Sequence, residues 1–188
     1  MTETIGHKER EVLRSLGARM AGPSVRAVLD EVVSRVERHL ADRRAATMAW
    51  EPVPLSIYGE ALPGGICSSW VFILRGGAIT GAERHPGSRQ RMVSYRGAGD
   101  LQTRPGETWL SHPLISEPGA PLDRRWISIP PRVWHQAVVP EADWVVVSFH
   151  TVAAGDLIEE RPDPADPRRT RGRRYLAGTT LPGVALSP

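Results

Sequence analysis

Two histidines, a carboxylate and a carboxamide stand at spacings that would let them share one metal ion. Glu83 and His85 are separated by one residue, Gln90 follows soon after, and His135 comes from a distant segment. On an extended strand Glu83 and His85 point to one face, because side chains on a face recur every second residue. Facing strands would bring in Gln90 and His135. Two histidines and one carboxylate with open positions form a donor set for catalytic Fe(II), Zn and similar ions.

Short apolar runs separated by glycine, proline and polar turns fill the chain from Trp50 onward. Such strand lengths and spacings favour an antiparallel sandwich or barrel. No helix is predicted between residues 50 and 155, so the candidate ligands are expected on strands. The predicted strands are Pro54–Tyr58, Ser69–Leu74, Gln90–Tyr95, Trp126–Ile129, Gln136–Val139 and Trp144–His150.

Two amphipathic helices are predicted ahead of these strands. The first covers Lys8–Met20 and the second covers residues 24–43, where apolar residues recur at i, i+3 and i+4. Ser24 is the expected N-cap of the second helix. We expect the helices to cover a sheet or to form the contact of a homodimer. The second helix offers no distinct set of base-reading side chains, so a helix-turn-helix function is not favoured.

The composition limits the class of protein. A chain of 188 residues fits one domain with appendages. The single Cys67 excludes an intramolecular disulfide and a thiolate zinc cluster, and it favours a reducing compartment. No apolar run approaches the roughly 20 residues of a membrane span, and the N-terminus is too polar for a signal peptide. The sequence therefore predicts a cytoplasmic protein without a membrane partner.

The basic charge is concentrated near the C-terminal end. Residues 161–174 hold six arginines against two aspartates, while the whole chain has a net charge of only +3. Their proline and charge content favours a flexible, solvated tail over a nucleic-acid-binding element, with contact to RNA or an acidic partner as the alternative. The predicted organisation is a helical extension over residues 1–49, a β-barrel over 50–157, and an Arg/Pro-rich tail with a C-terminal extension over 158–188.

The segment that contains the candidate ligands resembles the first conserved motif of the cupin superfamily, G-x5-H-x-H-x3,4-E-x6-G. In this chain the motif positions are Gly77, Glu83, His85, Gln90 and Gly97, and every interval is kept. Glutamate replaces the first histidine, and glutamine replaces the glutamate.

The second cupin motif, G-x5-P-x-G-x2-H-x3-N, is partly kept. Pro130 and His135 stand at the expected separation, whereas Arg124, Arg132 and Val139 replace glycine, glycine and asparagine. The resemblance covers roughly residues 50–152.

The resemblance implies a mainly β, cupin-like double-stranded β-helix, or jelly-roll barrel, behind N-terminal helices. It also implies one divalent transition metal, Zn or Fe(II), held by Glu83, His85, Gln90 and His135. In this interpretation Glu83 supplies the carboxylate that Gln90 has lost. Whether Glu83 binds the metal or acts as a base beside it stays open.

Each candidate ligand also has an ordinary structural interpretation. His85 would cap backbone groups in a turn before Pro86, and Glu83 would pair with Arg84 or Arg96 at the surface. Gln90 would be a hydrogen-bonding residue of the core.

Two further residues are candidates for catalysis beside Glu83. His150 shares one strand face with Trp144, so an inward His150 would be an acid–base residue, a partner of a metal ligand or a fifth ligand. A hydrogen-bonded core histidine is the alternative. Arg96 has the strand parity of Gln90, and an inward guanidinium would need a carboxylate from the protein or the substrate. Arg124 and Arg125 are further candidates for clamping an acidic substrate.

Cupin-like barrels host many activities, so the fold does not determine the reaction. The expected function is a mononuclear metal-dependent enzyme for a small polar substrate, derived from a carboxylate or an amino acid. It would act as a non-haem Fe oxygenase or a Zn Lewis-acid catalyst. One alternative is a natural-product pathway rearrangement, including N–N bond formation without O2, with a synthetase-like partner. The other is a non-catalytic module that binds an acidic metabolite.

Overall fold

The computed structural model describes residues 5–176 of the chain. The helices are α1 (His7–Met20), α2 (Pro23–Ala41) and a short α3 (Leu122–Arg125). Turns of 3-10 helix occur at Leu55–Tyr58, Pro63–Gly65 and Ala154–Asp156. The strands are β1 (Met48–Val53), β2 (Ser68–Leu74), β3 (Gln90–Arg96), β4 (Ala98–Arg104), β5 (Pro113–Ile115), β6 (Trp126–Ile129), β7 (Trp134–Val138), β8 (Trp144–His150), β9 (Ile158–Asp163) and β10 (Asp166–Arg174).

Two antiparallel sheets face each other. The first sheet has the order β1-β2-β8-β3-β6. The second contains β5-β4-β7 and continues through residues 79–84, which pair with β7 at Ile79 and Glu83. Arg84 then pairs with Glu160, which adds the β9–β10 hairpin to this side. The predicted mainly β fold, consistent with a jelly-roll barrel, is confirmed.

The first sheet separates two hydrophobic cores because its side chains alternate between its faces. One core lies between this sheet and the helices, and the other lies between the two sheets. The helix-side core includes Val71, Ile73, Val145, Val147 and Phe149. The barrel core includes Trp70, Phe72, Leu74, Met92, Trp144 and Val146.

Both predicted helices are present, and their apolar faces cover the first sheet. α2 buries Leu29, Val32 and Val36 in the helix-side core, so this face is used inside the chain. The predicted cap is wrong, because Gly22 is the N-cap residue and Pro23 occupies the first turn, where its missing N–H removes no hydrogen bond. No helix among residues 5–176 is long and apolar enough to cross a membrane.

Five of the six predicted strands are confirmed as β2, β3, β6, β7 and β8, to within two residues at each end. The prediction for Pro54–Tyr58 is wrong, because residues 55–58 form a 3-10 turn and the strand lies earlier, at Met48–Val53. Pro54 has no N–H to donate to a neighbouring strand, which favours an end to the strand there. The expectation of no helix between residues 50 and 155 fails at α3 and at the 3-10 turns.

The glycines at both ends of the first motif have left-handed backbones. The φ angle is +78° at Gly77 and +85° at Gly97, a region that other residues rarely adopt. Gly97 alone separates β3 in the first sheet from β4 in the second. This glycine therefore lets the chain change sheets in one residue.

Residues 158–174 form a hairpin, so the prediction of a flexible tail is wrong for this segment. Four of its six arginines form ion pairs with carboxylates, which stabilise a structure that composition alone does not favour. These arginines are Arg161, Arg171, Arg173 and Arg174. The proposed division of the chain into domains stays a prediction, and the extension after Leu176 lies outside the described residues.

Candidate metal centre

Glu83, His85 and His135 each place a ligand atom within 4.8 Å of the others. Backbone pairing brings two of them together across a long stretch of sequence. The N–H of Glu83 donates to the His135 carbonyl at 2.9 Å, and the N–H of His135 donates to the Glu83 carbonyl at 2.8 Å. His85 follows on the same face, as the sequence predicted.

Backbone carbonyls fix the orientation of both imidazoles. Nδ1 of His85 lies 3.0 Å from the Ile158 carbonyl, and Nδ1 of His135 lies 3.2 Å from the Val133 carbonyl. A carbonyl only accepts, so each Nδ1 carries a proton, and in the neutral imidazole that binds a metal each Nε2 then offers its lone pair. Nε2 of His135 is buried and has no hydrogen-bond partner among the described residues. This arrangement is typical of metal-ligating histidines.

Arg161 holds the carboxylate of Glu83 by one oxygen. Its guanidinium lies 2.6 Å from Oε2, whereas Oε1 lies 3.5 Å from Nε2 of His135. Burial alone raises the pKa of Glu83, but the contact with His135 and the charge of Arg161 outweigh it and lower the pKa to about 2. The group is therefore an anion with one oxygen toward the other ligands. The surface pairing with Arg84 or Arg96 is not found, since these pair with Glu160 and Glu37.

Arg161 is itself fixed by two further contacts. It donates to Glu159 at 2.6 Å and to the Thr80 carbonyl at 3.0 Å. Glu159 is buried and also accepts a hydrogen bond from Arg173 at 3.2 Å. The hairpin therefore supplies the guanidinium of Arg161, which pairs with Glu83, and the carboxylate of Glu159, which holds Arg161 in place.

A directional chain of hydrogen bonds sets the amide of Gln90. The Ser88 hydroxyl donates to the Arg89 carbonyl, so it accepts from Nδ1 of His150 at 3.3 Å. Nε2 of His150 then accepts from Ser148 at 3.0 Å, and the Ser148 oxygen accepts from Nε2 of Gln90 at 3.2 Å. The amide oxygen of Gln90 is left buried and without a partner among the described residues. It suits a neutral metal ligand.

Two histidines of this cluster, His85 and His150, are neutral at ordinary pH. Burial, helped by the neighbouring His135, lowers the pKa of His85 to about 4. Burial also lowers the pKa of His150 well below its usual value, with smaller contributions from His85 and His135. Because a ligating imidazole must be unprotonated, His85 is ready to bind metal. Both ring nitrogens of His150 are occupied by serine hydroxyls, so its geometry fits a residue that orients Gln90.

The cluster lines a cavity of about 30 Å³ inside the barrel, enough for an ion and one or two water-sized groups. Tyr175 forms part of its wall, and its buried hydroxyl has no partner among the described residues. Burial and the charges of Glu83 and Glu159 raise the pKa of Tyr175, so the phenol is a neutral donor. Most of the remaining wall is apolar, from Met48, Phe72, Leu74, Met92, Leu101, Val146 and Leu157.

Arg96 lies outside this cavity. A shift in register between Ser94 and Arg96 turns its side chain out of the barrel, where it pairs with Glu37 on α2. A register shift in one strand reverses the face that follows. The parity argument for an inward Arg96 therefore fails. Arg124 and Arg125 do not line the cavity either.

Three residues of the site were missed by the sequence: Glu159, Arg161 and Tyr175. They lie in the segment whose composition favours a solvated tail. Glu159 and Arg161 share one strand face, but the sequence does not mark that face as buried, since the only apolar neighbour, Ile158, is exposed.

Comparison with known proteins gives similarity at the level of fold. No family model matches this chain, and no curated protein matches it. Among solved structures, the capsular polysaccharide assembling protein CapF of Staphylococcus aureus is 16% identical with a TM-score of 0.40, over 56% of this chain and 26% of that chain. KdgF from Halomonas sp. is 17% identical with a TM-score of 0.38, over 55% of this chain and 79% of that chain.

A third solved structure is oxalate oxidase in complex with the substrate analogue glycolate. It is 13% identical with a TM-score of 0.43, over 56% of this chain and 51% of that chain. This chain spans about a quarter of the length of CapF and half that of oxalate oxidase. The similarity to these solved structures is one of fold and does not by itself assign this chain to a family. TM-scores this low carry no argument about its metal, substrate or reaction.

Proposed function

We propose that this protein is a metal-dependent cupin enzyme that binds one divalent transition metal, Zn or Fe(II). His85, His135 and Glu83 would be the ligands, with Gln90 as a neutral fourth. The observation that carries the proposal is the buried, unpartnered Nε2 of His135, facing a carboxylate oxygen 3.5 Å away. A buried acceptor without a donor is costly unless a cation completes it. The number and types of the donors fit such an ion.

The chain's own residues would hold this centre in one geometry. The Ile158 and Val133 carbonyls orient the two imidazoles, and Arg161 leaves Glu83 one oxygen for the ion. The Ser88–His150–Ser148 chain aims the Gln90 oxygen. The apolar wall excludes water, which strengthens electrostatic contacts inside. The bound ion would supply Lewis-acid chemistry if it is Zn, or a binding position for dioxygen if it is Fe(II).

Metal analysis of protein purified without added metal tests the proposal. We expect about one Zn or Fe per chain, because structural precedent for this donor set is mononuclear. The metal should disappear in the double variant His85→Ala and His135→Ala, and stay in the control His112→Gln, which lies outside the cavity. Protein that folds without any metal and is unaffected by a chelator would refute the assignment.

Oxygen consumption separates the two kinds of reaction. An Fe oxygenase consumes O2 with its substrate, whereas a Zn-catalysed reaction or a rearrangement consumes none. The homodimer, the synthetase-like partner and the cytoplasmic location stay proposals. The apolar faces of α1 and α2 are buried within the chain, so they provide no argument for the dimer.

A further inference from the structure

A groove of about 600 Å³ lies outside the barrel cavity, between the start of α1, the edge strand β6 and the end of β4. Its volume is in the range of sites that take drug-sized organic ligands. No residue lines both the groove and the cavity of the candidate metal centre. The apolar part of the groove wall includes Ile5, Leu110, Ile127, Pro130 and Val133.

Arg89 presents a guanidinium to this groove without a carboxylate partner. Its Nη1 donates to the Ser128 hydroxyl at 3.1 Å, and its Nε and Nη2 have no acceptor among the described residues. The neighbouring carboxylate of Glu9 already accepts two hydrogen bonds from Arg91 and one from Ser128. Arg89 is only partly exposed. An anion in the groove would complete it, because a charge beside apolar surface is stabilised by a hydrogen-bonded counter-charge.

The start of α1 adds positive potential to the same groove. Arg10 lines it, donates from Nε to the Ile5 carbonyl at 3.0 Å and forms no ion pair with a described residue. The N-cap residue Gly6 has no side chain to accept from the N–H groups of the first turn, which form the positive end of the helix dipole. The exposed Asp123 is the one unpaired carboxylate in the described wall. Unpaired cations therefore outnumber unpaired anions, so the groove favours a ligand with a negative charge.

We propose that this groove is a second ligand site, that it binds a small carboxylate with an apolar body, and that Arg89 pairs with the carboxylate. The carboxylate would supply the acceptor that the guanidinium lacks. The apolar body would cover Ile127, Pro130 and Val133. The proposal does not depend on the metal site, since the two sites share no lining residue.

Two fluorescent dyes that differ by one charged group test the proposal on the full chain. Anilinonaphthalene sulfonate (ANS) has an aromatic body with one negative charge, and phenylnaphthylamine (NPN) has the same body without the sulfonate. Each contains roughly 20 non-hydrogen atoms, a size suited to the groove and too large for the barrel cavity. We expect Arg89→Gln to weaken ANS binding about tenfold, the loss typical of a hydrogen bond to a charged group, and to leave NPN binding unchanged.

The matched control is Arg14→Gln, which removes the same charge from an exposed position on α1 outside the groove. This variant should bind both dyes as the wild type does. Arg10→Gln tests the positive potential from a second residue of the groove and should weaken ANS more than NPN. Near-UV circular dichroism is measured for every variant, because ANS also binds partly unfolded chains.

Competition by decanoate tests the carboxylate itself. Decanoate should displace ANS from the wild type, and its inhibition constant should rise about tenfold in Arg89→Gln. Failure of decanoate to displace ANS refutes the carboxylate class.

The dye titrations can also overturn the site. A folded wild type that does not bind ANS refutes it. Equal weakening of ANS and NPN by Arg89→Gln, or equal loss of ANS in Arg14→Gln, refutes the pairing of Arg89 with an anion. If Arg89→Gln does not fold, the comparison of Arg10→Gln with Arg14→Gln decides whether the groove recognises a negative charge.

Discussion

Glu83 and Gln90 show how two residues can exchange roles without changing the spacing of a motif. The Glu83 carboxylate faces His135. The amide oxygen of Gln90 has no hydrogen-bond partner among the described residues, and Gln90 lines the same cavity. The cluster therefore contains a single anionic candidate ligand, at the position where the cupin motif has its first histidine. The strands fix the spacing between the motif positions, whereas the residue type at each position can differ between proteins.

Exchanging these two residues again tests this interpretation. We expect Glu83→Gln to weaken Zn binding by at least about tenfold, because the site loses its one negative ligand. Adding Gln90→Glu should restore the affinity to within about tenfold of the wild type, since the carboxylate count is restored. Competition with a chromophoric chelator measures the affinities. A double variant no better than Glu83→Gln alone would contradict the interchange.

One buried ion pair attaches α1 to the first sheet, in addition to the apolar contacts of Leu13, Leu16 and Met20. Arg91 on β3 is nearly fully buried and donates to Glu9 on α1 at 2.6 Å, and Ser128 on β6 donates to the same carboxylate at 2.6 Å. Burial raises the pKa of Glu9, but these hydrogen bonds outweigh it and lower the pKa below its usual value. The helix is thereby attached to two strands at one point.

The free energy of unfolding at low pH should depend on the ion pair between Arg91 and Glu9. A group with a lowered folded-state pKa stabilises the protein above its unfolded pKa, and this contribution is lost as the pH falls through the folded value. Glu9→Gln should therefore flatten the acid limb of the stability curve and lower the free energy of unfolding at pH 7 by about 3 kcal/mol, as Arg91 loses its partner. Urea denaturation between pH 7 and pH 3 measures both. Glu37→Gln, from an exposed pair, is the control, and an equal effect there would contradict the prediction.

Strands buried on both faces were among the elements that the sequence predicted well. β2 and β8 lie between the two cores, so each is a continuous apolar run that is recognisable locally. The β9–β10 hairpin was not recognisable, because its stability comes from ion pairs such as Arg161 with Glu83, which are remote in sequence. The clustering of Glu83, His85 and His135 was predictable from their intervals, and their role as ligands stays a prediction. The outward orientation of Arg96 was not predictable, because the alternation of residues along a strand does not reveal a register shift.

At the scale of the molecule, one sheet supports both cores, while the candidate metal centre lies in only one of them. Leu29 belongs to the helix-side core and is fully buried. The ligands face the barrel interior on the other side of the sheet. Stability and metal binding should therefore be separable by mutation.

Leu29→Ala should lower the free energy of unfolding by about 2–5 kcal/mol, as expected for a buried leucine that leaves a cavity. It should leave the Zn content per folded chain unchanged. Zn at 1,000 times its dissociation constant should stabilise both proteins by about 4 kcal/mol, because it binds only the folded state. Thermal and urea denaturation with and without Zn measure these terms. Loss of Zn in the folded variant would show that the two sides are coupled.

The hairpin that supports Glu83 also sets an order of events during synthesis. Arg161 and Tyr175 follow His135 along the chain by about 26 and 40 residues. At roughly 5–20 residues per second, the ribosome releases both imidazole ligands several seconds before the groups that surround them. During that interval the nascent chain presents an open pair of histidines and a carboxylate with no guanidinium behind it. Glu83 therefore stays without its paired cation until the hairpin has been synthesised.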